Sequence, residues 1–195
     1  MIQNIWAVGR NYADHAKELG NAVPTEPLIF LKAGSTSTLA ASEIHLPSWA
    51  VEIHHEVELA LQFDEKLEIH QACIALDLTE RQKQAQLKAQ GSPWTLAKSF
   101  TGSCPLSRFF PVQNLQELKS LEIQLSVNGQ LRQNGNTQQM IFSLEILLDY
   151  VRKHFPVVPG DLLLTGTPAG VGPLKAGDLV EAKLQGKMEQ RWSVV

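Results

Sequence analysis

The sequence predicts an α+β protein that is mainly β. Three observations carry that expectation. Residues 121–127 alternate apolar and polar side chains and run into Asn128-Gly129, the strongest hairpin-turn signal in the chain. Short apolar runs bounded by turn residues recur, among them residues 28–32, 72–76 and 162–165. Helical periodicity is confined to a few stretches. At 195 residues, 44% hydrophobic and 19% charged, the chain has the size and composition of one sizeable folded domain, with room for a small N-terminal appendage.

In chain order, residues 2–8 read as a strand that leads into a helical stretch ending at Gly20. Asn11 is a candidate N-cap there, and Asp14 sits favourably in the first turn. His15 and Glu18 are three apart and share one helix face, a spacing that most often makes a surface pair. After a turn at Pro24 and Pro27, residues 28–32 form a buried-type strand ending in Lys32. Loop composition follows over residues 34–42, then a short extended piece over 43–46.

From Glu56 the chain alternates, with Glu56 and Glu58 on one side and Val57, Leu59 and Leu61 on the other. In a strand the two carboxylates therefore point the same way, roughly 6 to 7 Å apart at Cα. Facing a core, they would repel each other and lose hydration unless a positive partner, most simply a divalent cation, compensated them. A merely wet Glu face satisfies the same eight residues equally well.

Residues 62–70 have no clear period, and the apolar strand 72–76 delivers Asp77 at its exit. Residues 80–90 have a polar helical pattern closed by Gly91. Leu87 is nearly its only apolar anchor, which places the helix on the surface or over a cleft. Residues 93–100 read as a loop or edge segment in which Lys98 sits among Leu96, Ala97 and Phe100, where a snorkelling lysine is the ordinary outcome. Ser143 caps a helix with Leu144, Leu147, Leu148 and Val151 on its core face. The glycine-rich stretch 166–172 lacks the Gly-Lys-Ser/Thr ending of a phosphate loop, and no helical pattern follows it. That argues against nucleotide binding, although its N–H groups suit a carboxylate. Residues 178–185 and 188–194 finish the chain as two strands around Gly186-Lys187.

The net charge of −3 and scattered basic residues give no reason to expect nucleic acid or an anionic membrane as partner. Cys73 and Cys104 are too few for a disulfide scaffold or a thiolate metal site and fit a reducing cytoplasm. The N-terminus has no signal-peptide pattern, and no apolar run reaches membrane-spanning length.

Several stretches, each weak alone, stand in order along nearly the whole chain. They are Val8-Gly9-Arg10-Asn11-Tyr12-Ala13-Asp14-His15, Glu26-Pro27-Leu28-Ile29-Phe30-Leu31-Lys32, His54-His55-Glu56-Val57-Glu58-Leu59, Ala75-Leu76-Asp77-Leu78-Thr79, residues 93–100, and Leu164-Thr165-Gly166-Thr167-Pro168. Together they resemble the fumarylacetoacetate hydrolase family, in its short acylpyruvate hydrolase/oxaloacetate decarboxylase branch. The resemblance implies a mixed, rolled β-sheet fold in a single catalytic domain over residues 1–195. Within it, 1–45 would be an N-terminal segment with a lid helix and 46–195 the β-roll core. It also implies Mg²⁺ or Mn²⁺ held by Glu56, Glu58 and Asp77, an oxygen-only ligand set that suits a hard ion. His54 and His55 match no ligand position and are expected to support or pack.

By the same match Lys98 is the active-site lysine and Thr167 a substrate-contacting threonine. Arg10, Arg81 and Gln84 lie near the substrate's carboxylate, and His15 with Glu18 belongs to a segment that closes over the site. The implied activity is hydrolytic C–C cleavage of acylpyruvates such as fumarylpyruvate or acetylpyruvate, with His15 activating water. The alternatives are oxaloacetate decarboxylation, keto–enol tautomerisation, or a catalytically weakened relative that only binds a metal or keto acid. The partners implied are a small keto acid and a second copy of the chain in a homodimer. Two departures stand out. The chain is shorter than the family pattern between Leu61 and Ala72, and Glu80-Arg81-Gln82 replaces Ala-Arg-Asp after the metal aspartate.

Overall fold

The computed structural model of the protein describes residues 1–18, 20 and 22–195. Leu19, expected within the first helix, and Asn21 lie outside the described residues. The chain opens with β1 (Asn4–Gly9), the short helix α1 (Ala13–Glu18) and β2 (Leu28–Ala33). Next come β3 (Ser37–Leu39), β4 (Glu43–Ile44), β5 (Ile53–His55) and the long hairpin of β6 (Val57–Phe63) and β7 (Ile69–Leu76). β8 (Thr79–Glu80) leads into the helices α2 (Arg81–Ala89) and α3 (Thr95–Lys98), then β9 (Cys104–Leu106) and β10 (Phe110–Pro111). The hairpin β11 (Glu122–Val127) and β12 (Gln130–Asn136) precedes α4 (Leu144–His154), β13 (Leu162–Leu164) and β14 (Gly172–Pro173). β15 (Leu179–Leu184) and β16 (Met188–Val194) close the chain.

Among the described residues these strands form three sheets. The largest is mixed and curled, with eight strands in the order β2-β1-β13-β6-β7-β9-β3 and β10 also on β7. Its β1/β13 and β3/β9 pairs are parallel and the rest antiparallel. A five-stranded sheet runs β12-β11-β15-β16-β4, and a small one runs β14-β5-β8. The mainly-β expectation holds.

The burial of β6 positions the site. Val57, Leu59, Leu61 and Phe63 project into the main core, where they join residues such as Leu125, Leu147 and Trp192. Ala60, on the other face, belongs to a second cluster with Ile5, Ala7, Cys73, Ala75, Leu162 and Leu164. A strand covered on both faces leaves Glu58 no wet side, and the solvated-face reading of the alternating pattern falls.

Local chemistry explains most boundaries. Asn128 (φ 53°) and Gly129 (φ 74°) both take the positive φ that a tight hairpin between β11 and β12 demands. Ser143 Oγ accepts the Ile146 N–H at 3.4 Å, and α4 buries Leu144, Leu147, Leu148 and Val151. The segment expected as loop around Lys98 instead makes one helical turn, closed on the Trp94 carbonyl by the N–H groups of Ala97 and Lys98. The shortened stretch between β6 and β7 is a closed turn. Asp64 Oδ1 accepts from the N–H groups of Lys66 and Glu68, both at 2.8 Å, and the Arg152 guanidinium donates to the Leu67 carbonyl at 2.6 and 2.9 Å.

Asn11, expected as a helix cap, does something else. Its Oδ1 accepts the Phe142 N–H at 2.8 Å, and its Nδ2 donates to the carbonyls of Thr165 (2.8 Å) and Phe142 (3.2 Å). The fully buried amide thus fastens the segment before α1 to the loop after β13. Asn11→Ala would leave those backbone groups unpaired, at a cost of about 2 to 3 kcal/mol. Urea denaturation should show that loss; a change below about 0.5 kcal/mol would mean that the clamp is dispensable.

Candidate active site

Glu56 sits at the break where the chain leaves the small sheet at β5 and enters the large one at β6. The hairpin register sets Val57 opposite Leu76, so Asp77 emerges beside Glu56, and the Asp77 N–H donates to the Glu56 carbonyl at 2.8 Å. One carboxylate oxygen from each of Glu56, Glu58 and Asp77 lies within 4.8 Å of the others. All three residues are 5% exposed or less.

Three cations approach this cluster from three different elements. Lys98 Nζ, at the end of α3, donates to Glu56 Oε2 at 2.8 Å and to Asp77 Oδ2. Lys32 Nζ, on β2 and fully buried, donates to Asp77 Oδ1 at 2.7 Å. Arg81, at the start of α2, donates from Nη2 to Glu56 Oε1 at 2.6 Å. Lys98 is therefore no snorkelling lysine: it is 3% exposed and aimed inward.

The acids differ in their compensation. Burial alone would raise the Glu56 pKa, but the charges of Lys98 and Arg81 outweigh it and hold the carboxyl ionised well below its ordinary range. Burial likewise opposes the charge on Lys98, yet Asp77 and Glu56 hold its pKa above the usual lysine value. Among the described residues Glu58 has no cation bonded to it and accepts only the Gly166 N–H, at 2.6 Å. Burial, then the neighbouring charges of Asp77 and Glu56, push its pKa well above normal. A buried acid short of a positive partner, within an oxygen-only trio, fits a hard divalent ion.

These acids floor a cavity of about 30 Å³ also lined by Arg10, His15, Phe30, Arg81, Gln84, Lys88, Trp94, Lys98 and Thr167. His15 Nδ1 lies 3.2 Å from Glu18 Oε2, and the Glu18 carboxylate accepts the Gly170 N–H at 3.1 Å. The glycine-rich loop thus does hold a carboxylate, one from the protein itself. Gly170 stands at φ 96° with the Arg132 carbonyl where a Cβ would be, so no larger residue fits the loop there. Arg81 Nη1 donates to Gln84 Oε1 at 2.8 Å, while its Nε faces His54 Nδ1 at 3.4 Å. His54 is thereby a support behind Arg81, held in turn by Glu52 at 2.7 Å.

Every metal-ligand, catalytic or substrate-contacting residue that the resemblance implies lines this cavity except Glu18, which backs His15. Sequence reasoning missed Lys32 as a partner of Asp77, and it missed Lys88 and Gln133. Gln133 is fully buried on β12. Its Oε1 accepts the Val57 N–H at 3.0 Å and faces His55 Nδ1 at 2.9 Å. Its Nε2 donates to Thr167 Oγ1 at 2.7 Å and to the Pro168 carbonyl at 2.9 Å. No local pattern in a polar edge-strand sequence marks such a residue.

Residues 4–195 match the family model described as fumarylacetoacetate (FAA) hydrolase C-terminal. The chain belongs to the fumarylacetoacetate hydrolase family. It is 43% identical to the mitochondrial oxaloacetate tautomerase FAHD1 of Mus musculus, over 98% of this chain and 91% of that one. The mitochondrial oxaloacetate decarboxylase of Dictyostelium discoideum is 42% identical, over 94% and 89% of the two chains. The fold superposes on fumarylpyruvate hydrolase from Pseudomonas aeruginosa, solved with Mn²⁺ and pyruvate, at a TM-score of 0.93 and 30% identity. That match covers all of this chain and 90% of the other.

These relatives correct two expectations. The reading of a cytoplasmic protein from its two cysteines fails, because the matched eukaryotic relatives are named as mitochondrial. Cysteine content reports redox chemistry, which a cytoplasm and other reducing compartments share. Acylpyruvate hydrolysis as the leading activity is less well supported than its oxaloacetate alternative, since relatives matched over nearly the whole chain are named oxaloacetate tautomerase and oxaloacetate decarboxylase.

The uncompensated state of Glu58 has a measurable consequence. A carboxyl whose pKa is raised on folding removes stability as pH climbs from its unfolded value, near 4.5, through the raised one. Glu58→Gln should therefore leave the metal-free protein at least as stable at pH 8 as the unmodified chain. The same variant should lose the rise in melting temperature that Mg²⁺ or Mn²⁺ gives the unmodified chain. Melting scans with the ion and with EDTA decide it; an undiminished rise in the variant would exclude Glu58 as a ligand.

Proposed function

We propose that the protein is a divalent-cation-dependent oxaloacetate tautomerase, with decarboxylation of the same substrate as a second outcome at the same site. The charge balance of the cavity carries this reading. Lys32, Arg81 and Lys98 equal Glu56, Glu58 and Asp77 in number, although their ion pairs go to Glu56 and Asp77. A bound divalent ion, with Arg10 and Lys88 also lining the wall, leaves an excess of positive charge that a dianionic 2-oxo acid would neutralise. The names of the relatives point to the same substrate.

Glu56, Glu58 and Asp77 would hold Mg²⁺ or Mn²⁺, which when bound supplies Lewis acidity toward a 2-oxo acid. Arg81 and Gln84, already joined to each other, would orient the carboxylate next to the ketone. With Glu18 accepting from Nδ1–H, the His15 imidazole keeps Nε2 as the proton acceptor for C3 of the substrate. Negative charge then develops on the 2-oxo oxygen, where the Lys98 ammonium, kept protonated by Glu56 and Asp77, donates a hydrogen bond. Uptake of a proton from water by that oxygen gives the enol; in the reverse direction the oxygen gives its proton back to water and protonated His15 delivers one to C3. Loss of CO₂ from C4 reaches an enolate of the same kind without a proton abstraction.

Acylpyruvate hydrolysis retains two observations in its favour. The His15–Glu18 pair at the cavity suits activation of a water, and a fumarylpyruvate hydrolase shares the fold. A weakened, binding-only relative is less well supported, since the acids and cations converge despite the shortened hairpin.

One assay set separates these readings. Oxaloacetate enol absorbance, pyruvate release from oxaloacetate, and acetylpyruvate absorbance would be followed with Mg²⁺, with Mn²⁺ and with EDTA. His15→Ala should slow enol–keto exchange by about 10² to 10⁴ while leaving metal binding intact. Glu56→Ala should lose both. Cleavage of acetylpyruvate with no effect on oxaloacetate would sink the proposal and install the hydrolase.

A further inference from the structure

We propose that Lys88 is a binding residue that reads the distal carboxylate of the substrate and so selects a dicarboxylate over a monocarboxylate 2-oxo acid. The inference rests on the oxaloacetate reading above and adds a residue that neither the motifs nor the relatives' names single out.

Lys88 stands one helical face along from groups already at the site. Arg81, Gln84 and Lys88 occur at i, i+3 and i+7 of α2, and all three line the acid-floored cavity. The unusual polarity of this helix thereby has a cause: the face over the cleft is built to meet anions. The first two positions are engaged, Arg81 with Glu56 and Gln84 with Arg81. Lys88 is the engaged pair's neighbour without a counter-charge. Among the described residues it forms no ion pair and no hydrogen bond, and its Nζ instead lies 5.0 Å from the centre of the Trp94 ring. Arg10, on the opposite wall, likewise forms no ion pair among the described residues.

A half-buried ammonium in such company is costly to keep charged. Partial burial first, then the charges of Arg10, Arg81 and Lys98, lower its pKa to about 8. That crowding of like charge is relieved by an anion. The carboxylates of the site do not supply it: Lys32, Lys98 and Arg81 hold Glu56 and Asp77, and among the described residues Lys88 forms no ion pair with Glu58. Trp94 lines the same cavity and packs its ring against the ammonium. A substrate whose first carboxylate lies by Arg81 and Gln84 would meet Lys88 with its far end.

The test compares two ligands of equal chain length, oxaloacetate and 2-oxobutyrate, which carries a methyl group where oxaloacetate has its distal carboxylate. Binding of each to the Mg²⁺-loaded full chain would be measured by calorimetry for the unmodified protein, Lys88→Gln and Lys88→Arg. Lys88→Gln should weaken oxaloacetate binding by about tenfold and leave 2-oxobutyrate within about twofold, and Lys88→Arg should restore most of the selectivity. Equal weakening of both ligands, or of neither, would overturn the assignment. The catalytic proposal is separated by turnover: oxaloacetate bound selectively through Lys88 but not converted sinks the tautomerase reading alone. Oxaloacetate converted with its affinity untouched by Lys88→Gln sinks this one alone. A chain that binds neither ligand overturns both.

Discussion

Three carboxylates packed within one another's reach, beneath a strand buried on both faces, are the constraint on which the rest of this structure depends. Buried like charges are among the most expensive arrangements a fold can contain. Here the expense is offset by cations brought from β2, α2 and α3. The compensation is also uneven. Glu56 and Asp77 have cations bonded to them, while among the described residues Glu58 has a single backbone N–H, an imbalance that suits the cluster to a divalent ion.

The shortened β6–β7 connection bears directly on this arrangement, since Glu58 and Asp77 flank it. The geometry shows why shortening is tolerated. The placement of Asp77 beside Glu56 is set by ladder register at the far end of the hairpin, where Val57 pairs with Leu76, and not by the turn. The turn itself is closed by Asp64 and held from outside by Arg152 on α4. Removing residues from the tip of an antiparallel pair leaves the pairing at its base unchanged as long as register is kept. The second departure, Glu80 in place of a small residue, has a structural use: its carboxylate caps α2 through the Lys83 N–H and accepts from the N–H groups of Val51 and Glu52.

The polar side chains around the carboxylates form a second layer that ties separate elements together. Gln133 joins the strand after Glu56 to the Thr167 loop, Asn11 joins that loop to the segment before α1, and Glu18 joins α1 to Gly170. Each uses an amide or carboxylate to bridge backbone groups far apart in sequence. For Gln133 and Asn11, both fully buried, such bonds are worth more and their loss is costlier than at the surface. A site on a mainly-β scaffold thereby gains a floor, a wall and a cover whose relative positions are set by hydrogen bonds.

The sequence by itself determined the longer strands, the hairpin at Asn128-Gly129 and the core face of α4, while β3 formed within a stretch of loop composition. These depend on periodicity and on the φ preferences of a few residues, which act within short stretches. The ordered motifs also located the acids and the groups that share their cavity. What only the tertiary structure decided is which alternative each ambiguous residue takes. Glu58 is buried because both faces of β6 are covered, Lys98 turns inward because Asp77 and Glu56 lie there, and Asn11 bridges loops because Thr165 and Phe142 come within reach. Lys32, Lys88 and Gln133 gained their places in the same way. A side chain's local pattern records what it can do; the partner that fixes its role lies tens of residues away, and only folding brings the two together.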